Sequence, residues 1–540
     1  MVSMKILIAD SLAPEGAEFL RQNGHCEVTE QTGLEGPDLI DALRSHDGVV
    51  VRSAVQLTAD ILEACQNGSP CQLRGIARAG VGVDNIDLPT ATKYGIVVMN
   101  SAAASTITTA EQAFALMIGL ARNLGPAHMT MAKGGWDRKK FVGTQLHGKT
   151  LGVVGMGRIG QTMASRALAF GMKVIGLDPY YNAETALDGE VRMVGSFEEM
   201  IEQIDIVTFH VPKNDATTGM LSKAQFAKAR PGLLVVNASR GGIVDENDLL
   251  EAIDSGQCGG AALDVYTQEP PPEDSPLRNH PKILTAPHLG ASTVEAQEAV
   301  AVDACKALYN YLAGNGVDGA VNVGKLQLDL TDRQQQFVDL ATRMTQLIGA
   351  VTGNLKLQGV TFKVSGDALA GRADTIARHA LSDLLRAHLD QPVNVINAGF
   401  VAEERNLDTK TIIDRDTGVD RLSIELHGAD GSHRVGGAIY QDGHPRVTHL
   451  DGYAMDMVPE GHMVLLTNED EPGRIGVVGQ LFGDSDVNIA EMVIGRKPTT
   501  DRGNVAMMIL KVDAEPTAEV LEKLRKSKGI LSAAHLQLDR

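Results

Sequence analysis

KTLGVVGMGRIG, residues 149–160, decides how the rest of the chain is read. Its first half holds a short apolar run, Leu151–Val154, of the kind that forms a strand buried on both faces. Its second half, Gly155-Met156-Gly157-Arg158-Ile159-Gly160, has the G-x-G-x-x-G spacing and opens a helix-like segment. Each glycine meets a separate steric demand. Gly155 permits the tight turn, Gly157 lets backbone N–H groups approach a pyrophosphate, and Gly160 lets helix and strand pack closely. Eighteen residues after Gly160, a second apolar run, 173–177, ends in Asp178. A carboxylate there accepts hydrogen bonds from a ribose diol and repels a 2′-phosphate, so the expected cofactor is NAD rather than NADP.

Working outward, the strand–helix alternation continues through KVIGLD, DIVTFHVP, GLLVVNASR, GGAALDVY and KILTAPHLG, which describes a doubly wound parallel sheet. Residues 1–100 carry a smaller version, with β-rich runs at 5–10, 48–53, 73–80 and 95–100. Two long helical stretches bracket the larger unit: 106–124, ended by Gly125-Pro126, and 293–312, ended at Gly314. The chain is therefore expected to leave the first unit through one helix and return through the other. The first unit is then discontinuous, 1–100 with 291–322, around a cofactor unit at 101–290, and the cleft between them is the natural binding site. Beyond residue 322 the pattern changes. Residues 323–456 mix helical stretches (332–351 and 375–388) with strands and carry no catalytic cluster. Residues 457–540 read strand, helix, two strands, helix, strand, the βαββαβ order of a ferredoxin-like domain.

Composition narrows the functional classes. The chain has 540 residues, too many for one core. Its net charge of −19 repels a polyphosphate backbone, which argues against nucleic acid as a partner. An anionic metabolite can still bind if a few cations and helix N-termini face its pocket. The five cysteines show neither C-x-x-C spacing nor a nearby His at metal spacing, so no metal site is expected. No apolar run approaches the roughly 20 residues that span a bilayer, and the N-terminus lacks a secretory signal pattern. The expectation is a cytoplasmic protein without a membrane partner.

Three residues past successive strand runs carry the chemistry. Arg240 follows LLVVN, Glu269 follows AALDV and His288 follows KILTA. In a doubly wound sheet those strand ends face the ligand crevice, so the three can converge beside a nicotinamide ring. Oxidising a 2-hydroxy acid removes a hydride from carbon and a proton from the hydroxyl. A neutral imidazole takes such a proton near neutral pH, a carboxylate partner orients the ring, and a guanidinium holds the substrate carboxylate. Each residue also has a plain reading: His288 a turn residue after Pro287, Glu269 a solvated loop charge, Arg240 a partner for a loop carbonyl. His210 also lies near a strand end but has no matching carboxylate after it.

The stretches VGMGRIG (154–160), NASRGGIVDENDLLEAI (237–253), AALDVYTQEPP (261–271) and APHLGAST (286–293) resemble the D-isomer-specific 2-hydroxyacid dehydrogenase family. The resemblance implies Arg240, Glu269 and His288 as the catalytic set. It implies cofactor contacts at Arg158, Ile159, Asp178, Val211, Ala238, Ser239, Asp264 and Gly290. Within the family, VRSAVQLTADIL (51–62) and ARAGVGVDNIDL (77–88) resemble the substrate loops of the D-3-phosphoglycerate dehydrogenases. That likeness implies Arg52 at a substrate phosphate and the backbone around Gly80 and Val81 at its carboxylate. It also implies that the Trp136–Lys140 segment reaches a neighbouring subunit, hence a homodimer or homotetramer.

The C-terminal half is similar to the long form of that group, with an intervening domain and an ACT domain, matched at VLLTNEDEPGRIGVVGQLF (464–482) and VNIAEM (487–492). This implies serine as an effector, with Asp470 and Asn488 at its site; Asn468 stands where some regulated members carry His or Tyr. The expected fold class is α/β: two doubly wound Rossmann-like domains plus an α+β intervening domain and a terminal βαββαβ ACT domain. The expected reaction is NAD-dependent oxidation of 3-phospho-D-glycerate at the head of serine biosynthesis. Other 2-hydroxy-acid specificities, a non-catalytic NAD-sensing scaffold and an effector other than serine stay open at this point.

Overall fold

A computed structural model of the chain describes every residue except 1–2, 68–69, 182–183, 325, 354, 390–391, 416–417, 430, 441, 498–503 and 539–540. The described residues form four sheets. The first places Cys26–Glu30, Met4–Ile8, Gly48–Val51, Gly75–Arg78 and Val97–Asn100 side by side, all parallel. Strand Cys26–Glu30 is not among the runs expected from the sequence. It is an edge strand with only partial burial, and its sequence CEVTE lacks the apolar run that marks its neighbours.

The chain leaves this sheet through helix Thr106–Ala121, which packs into the core of the second unit through Ala113, Phe114 and Met117. It returns through helix Val294–Ala313, whose Val300, Ala304 and Leu308 pack with Ile6, Ala17 and Val50 of the first. Thr293 caps that return helix by accepting from the Ala296 N–H, and Gly314 ends it with φ +77°, a left-handed value that glycine adopts without strain.

The outgoing helix departs from expectation at its end. It stops at Ala121, Asn123 turns left-handed (φ +55°), and a separate helix, Leu124–Ala132, then contains Gly125 and Pro126. Pro126 sits in the first turn of the new helix, where its missing N–H would have had no partner anyway, so it starts a helix rather than stopping one. Helix Leu124–Ala132 buries none of its residues.

The second sheet runs Ile283–Thr285, Cys258–Leu263, Leu233–Asn237, Ile206–Phe209, Thr150–Val154, Lys173–Leu177, Val191–Met193 and Thr185–Ala186, parallel except at the last pair. The strand order reverses between Thr150–Val154 and Ile206–Phe209, which opens a crevice outside their C-terminal ends.

The third sheet has six strands, and the fourth orders Ile489–Arg496, Val505–Val512, Gly461–Glu469 and Ile530–Leu538, all antiparallel. Strand Gly461–Glu469 is buried on both faces. Val464 and Leu466 meet Val478 and Phe482 of helix Arg474–Asp484, while Met463 and Leu465 join Phe337 and Met344 of helix Asp332–Thr352. The last two units therefore share a core. Cys65 and Cys71 are both free thiols, with their sulfurs 3.0 Å apart. Among the described residues no helix is long and apolar enough to cross a membrane.

Candidate active site

The glycine loop leaves strand Thr150–Val154 and enters helix Arg158–Ala169 with Gly157 at its N-cap. Gly155 has φ +92°, and a Cβ on it would stand 2.5 Å from the His210 carbonyl oxygen. A Cβ on Gly160 would collide with the Gly155 carbonyl, so helix and strand are in contact there. Gly157 has open space where its side chain would be, which is the room a pyrophosphate needs beside backbone N–H groups. Asp178 does two things at once: Oδ2 accepts from the Met156 N–H of the loop at 2.9 Å, and Oδ1 accepts from the Tyr180 N–H at 2.9 Å. The turn-forming role and a ribose-facing role are therefore compatible in one carboxylate, since each oxygen keeps a free lone pair.

Asp264, fully buried at the end of strand Cys258–Leu263, accepts from the Leu289 N–H at 2.8 Å through Oδ1, while its Oδ2 has no partner. That oxygen faces Gly290, where an added Cβ would stand 3.4 Å from it. A buried carboxylate oxygen without a donor is costly, and a carboxamide N–H from a nicotinamide would satisfy it. Val211, Ala238 and Ser239 follow the next two strand ends along the same crevice, and Arg158 and Ile159 open the helix over it. The residues present thus fit a bound dinucleotide at both its pyrophosphate and nicotinamide ends.

Glu269 and His288, nineteen positions apart, meet: His288 Nδ1 lies 2.6 Å from Glu269 Oε2. Glu269 Oε1 accepts from the Tyr266 N–H at 3.0 Å, which fixes the carboxylate. A carboxylate can only accept, so Nδ1 carries the proton and Nε2 is left as the free acceptor. Both side chains keep solvent-exposed surface. His288 has φ +55°, a left-handed backbone that a non-glycine residue rarely adopts, and the Leu289 N–H bond to Asp264 holds it there.

Arg240 sits on a turn built by Asn237, whose Oδ1 accepts from the Ser239 N–H and whose Nδ2 donates to the Arg240 carbonyl. Its guanidinium donates to the Ser239 carbonyl and, across the cleft, through Nε to Asp84 Oδ2 at 2.9 Å. The plain reading of Arg240 is therefore partly realised: one of its nitrogens does bond a loop carbonyl. Its tip lies against Gly82 of the first unit, where no side chain could fit beside it.

His210, by contrast, is enclosed by protein with only a partial solvent-facing edge, bonds Thr208 Oγ1 at 3.0 Å, and is pulled down to about 4 by burial. Among the described residues it makes no hydrogen bond to Glu269 or His288.

The first unit contributes two arginines. Asp10 Oδ2 accepts from the N–H groups of Arg52, Ala54 and Val55, which shapes the loop carrying Arg52. Arg78, at the end of strand Gly75–Arg78, is not singled out by the sequence although it lies inside ARAGVG. Its guanidinium lies over Gly80, which has φ +148°; its Nε is buried without a partner. Burial first, then the charges of Arg240 and Arg52, pull Arg78 down to about 10. Asp84 and Asp10 push the other way without fully offsetting them, so Arg52, Arg78 and Arg240 lie within electrostatic reach of one another in a cationic setting that a bound anion would relieve. Val81 offers its carbonyl to Asn100 Nδ2 at 2.6 Å, tying the Gly80–Val81 loop to the neighbouring strand end.

In the ACT segment Asp470 is engaged by Arg496 (2.8 and 3.0 Å), and Asn488 donates to Asp513 at 2.7 Å. Within one chain they serve separate partners. Asn468 is buried with its Oδ1 unpaired.

Residues 114–290 match the D-isomer specific 2-hydroxyacid dehydrogenase NAD-binding domain, 333–451 the D-3-phosphoglycerate dehydrogenase intervening domain, and 462–529 the ACT domain. Among solved structures, the TT0316 protein from Thermus thermophilus aligns with a TM-score of 0.52 at 31% identity, covering 58% of this chain and 98% of that one. A glyoxylate reductase from Paecilomyes thermophila aligns with a TM-score of 0.54 at 28% identity, covering 59% and 99%. Both cover less than two thirds of this chain. Full-length similarity is found instead with the D-3-phosphoglycerate dehydrogenase of Archaeoglobus fulgidus, 37% identical over 99% of this chain and 100% of that protein. The Bacillus subtilis D-3-phosphoglycerate dehydrogenase is 35% identical over 99% of each. With the dehydrogenase, intervening and ACT segments present in one chain and matched end to end, the chain belongs to the D-3-phosphoglycerate dehydrogenase family.

Proposed function

We propose that the chain oxidises 3-phospho-D-glycerate to 3-phosphohydroxypyruvate with NAD⁺, the step that opens L-serine biosynthesis. The observation that carries this reading is the Glu269-held imidazole of His288, with its Nε2 free, on the unit that also carries Arg240, which lies within electrostatic reach of Arg78 of the first unit, as does Arg52. When bound, NAD⁺ supplies the acceptor for the hydride that leaves C2. His288 takes the hydroxyl proton at Nε2, and Glu269 favours the imidazolium that results. Arg240 holds the substrate carboxylate and stabilises charge on the carbonyl oxygen as it forms. Arg52 and Arg78 receive the phosphate, and the Gly80–Val81 backbone lies at the carboxylate. The glycine loop, Asp178 and Asp264 orient the cofactor, together with Arg158, Ile159, Val211, Ala238, Ser239 and Gly290.

The test is NADH formation from 3-phosphoglycerate, run beside unphosphorylated 2-hydroxy acids. Preference for an unphosphorylated acid sinks the substrate assignment while leaving the dehydrogenase chemistry intact. Arg52→Ala is expected to raise KM for 3-phosphoglycerate much more than for an unphosphorylated analogue. Equal effects remove Arg52 from the phosphate site.

The division into 1–100 with 291–322, 101–290, 323–456 and 457–540 belongs to the same reading. So does regulation through the ACT domain, with serine as the effector and Asp470 and Asn488 at its site. The reading includes a homodimer or homotetramer. Support comes from helix Leu124–Ala132, which buries nothing of its own, and from Trp136, which is 76% exposed beside it. Sedimentation of the full chain decides the assembly state, and turnover with and without serine decides the effector.

A further inference from the structure

Where the first unit meets the intervening unit, a cavity of about 430 Å³ opens between Thr92 and Asn322 on one side and Phe362, Arg378, Phe400 and Thr411 on the other. Its lining includes none of the catalytic, cofactor or substrate residues. Its walls follow from two periodicities. On helix Ala373–Arg386, Asp374, Ala377, Arg378 and Leu381 fall at i, i+3, i+4 and i+7, one face. On the sheet, the parallel register pairs Phe362 with Thr411 and Val360 with Thr409, which brings both threonines to the face that helix covers.

Arg378 is the unusual member. Among the described residues its half-buried guanidinium makes no hydrogen bond and no ion pair. It lies against Gly399, where a side chain would displace it. Burial pulls it below the ordinary arginine value, an effect that the Asp374 and Glu403 carboxylates do not fully offset. Its five N–H donors line a part-open cavity where solvent reaches them, and a bound anion would replace that water with fixed, charge-assisted hydrogen bonds. The acceptor's chemistry can be read from the surroundings. A planar guanidinium fork matches a carboxylate, and Asp374 at the exposed rim repels a ligand of dense negative charge. Phe362, Leu381, Ile396 and Phe400 offer apolar surface to the rest of the ligand.

We infer that this junction cavity binds a small monocarboxylate with an apolar, branched or aromatic body, its carboxylate on Arg378. Occupancy bears on the catalytic half through Asn322, which borders the cavity. Asn322 Oδ1 accepts from the Val98 N–H and its Nδ2 donates to the Ile96 carbonyl. Both belong to the segment that runs on to Asn100, the residue holding the Val81 loop. A ligand bridging the two units would therefore shift KM for the hydroxy-acid substrate before it shifts kcat.

The test is calorimetric titration of the full-length chain with 4-methylpentanoate and with 3-phenylpropanoate, neither of which can be reduced by a hydroxy-acid dehydrogenase. Inorganic phosphate is the control. Arg378→Gln is expected to leave phosphate binding, which the Arg52 and Arg78 site also offers, as it is in the parent, and to weaken both monocarboxylates at least about tenfold with basal turnover unchanged. Arg240→Gln should leave that binding untouched. If Arg378→Gln unfolds, Thr411→Val and Phe400→Ala are read in its place and are each expected to weaken binding about threefold or more. The inference is overturned by absence of monocarboxylate binding at millimolar ligand, by phosphate binding that is tighter and is lost in Arg378→Gln, or by dependence on Arg240 rather than on the cavity residues.

Discussion

The two doubly wound units begin alike and end differently at their first turn. In the second, strand Thr150–Val154 gives way to Gly155-Met156-Gly157 and a helix whose N-terminus is open. In the first, strand Met4–Ile8 leads to Asp10 and a helix with Pro14 in its first turn. There the carboxylate of Asp10 already occupies three N–H groups, those of Arg52, Ala54 and Val55, and no glycine gives a phosphate access. Both sheets deliver strand ends to the same cleft. One turn has its donors free and takes a cofactor, while the other carries a carboxylate that ties down the neighbouring loop of Arg52, and its unit presents arginines instead. The architecture supplies the address, and the turn chemistry decides what is received there.

The sharpest test of this division removes the proposed proton acceptor on the second unit. His288→Ala is expected to lower kcat by about 10²–10⁴-fold, with NAD affinity within a factor of about two of the parent. Near-normal turnover would end the assignment of the base. The counterpart on the first unit is Arg78→Leu, with an expected rise in KM for 3-phosphoglycerate of about 10–100-fold and little change in kcat. Because Arg78 buries an unpaired Nε among like charges, the same variant should unfold at equal or higher denaturant concentration. A variant that loses stability and leaves KM alone makes Arg78 a structural residue.

Legibility in the sequence follows the same line. Glu269 and His288 can be paired because both sit past strands of one sheet, and strand ends in a doubly wound fold share an edge. The Arg240–Asp84 contact joins residues 156 positions apart on different units, and no period or motif reports how two units are set against each other. Arg78 is hidden for a related reason: at the end of a short strand its charge reads as solvated, and only the approach of Arg52 and Arg240 exposes it as one of a set. Helix 106–124 is overextended in the sequence reading because a proline at a first turn and a proline past a last turn look the same in one dimension.

Smaller effects come from the glycines. Gly160→Ala forces helix and loop apart and is expected to weaken NAD binding about tenfold or more, read by fluorescence titration with NADH. Gly16 occupies a comparable helix in the first unit, but its close neighbours are Leu12 and the Ala301 carbonyl, at 2.9 and 3.0 Å from an added Cβ. Gly16→Ala should therefore cost about 1–2 kcal/mol of stability and leave NADH affinity unchanged. If both variants lose cofactor to the same degree, the two units are not divided as described.

The last effect is the pH dependence that His210 adds in the cofactor unit. His210 is held neutral by burial at about 4, against about 6.5 for an unfolded imidazole. The unfolded chain then binds the proton more readily, so this contribution to stability is present above pH 6.5 and is lost as pH falls toward 4. Allowing for its partial solvent-facing edge, the loss between pH 7 and pH 5 amounts to about 1–2 kcal/mol. His210→Phe cannot take up that proton, so its urea midpoint should fall less steeply over the same interval than that of the parent chain. Parallel slopes would mean that the imidazole is solvated in the folded state. The crevice beside the glycine loop would then be wetter than the geometry describes, and the contrast between an open cofactor turn and an enclosed floor beneath it would fail.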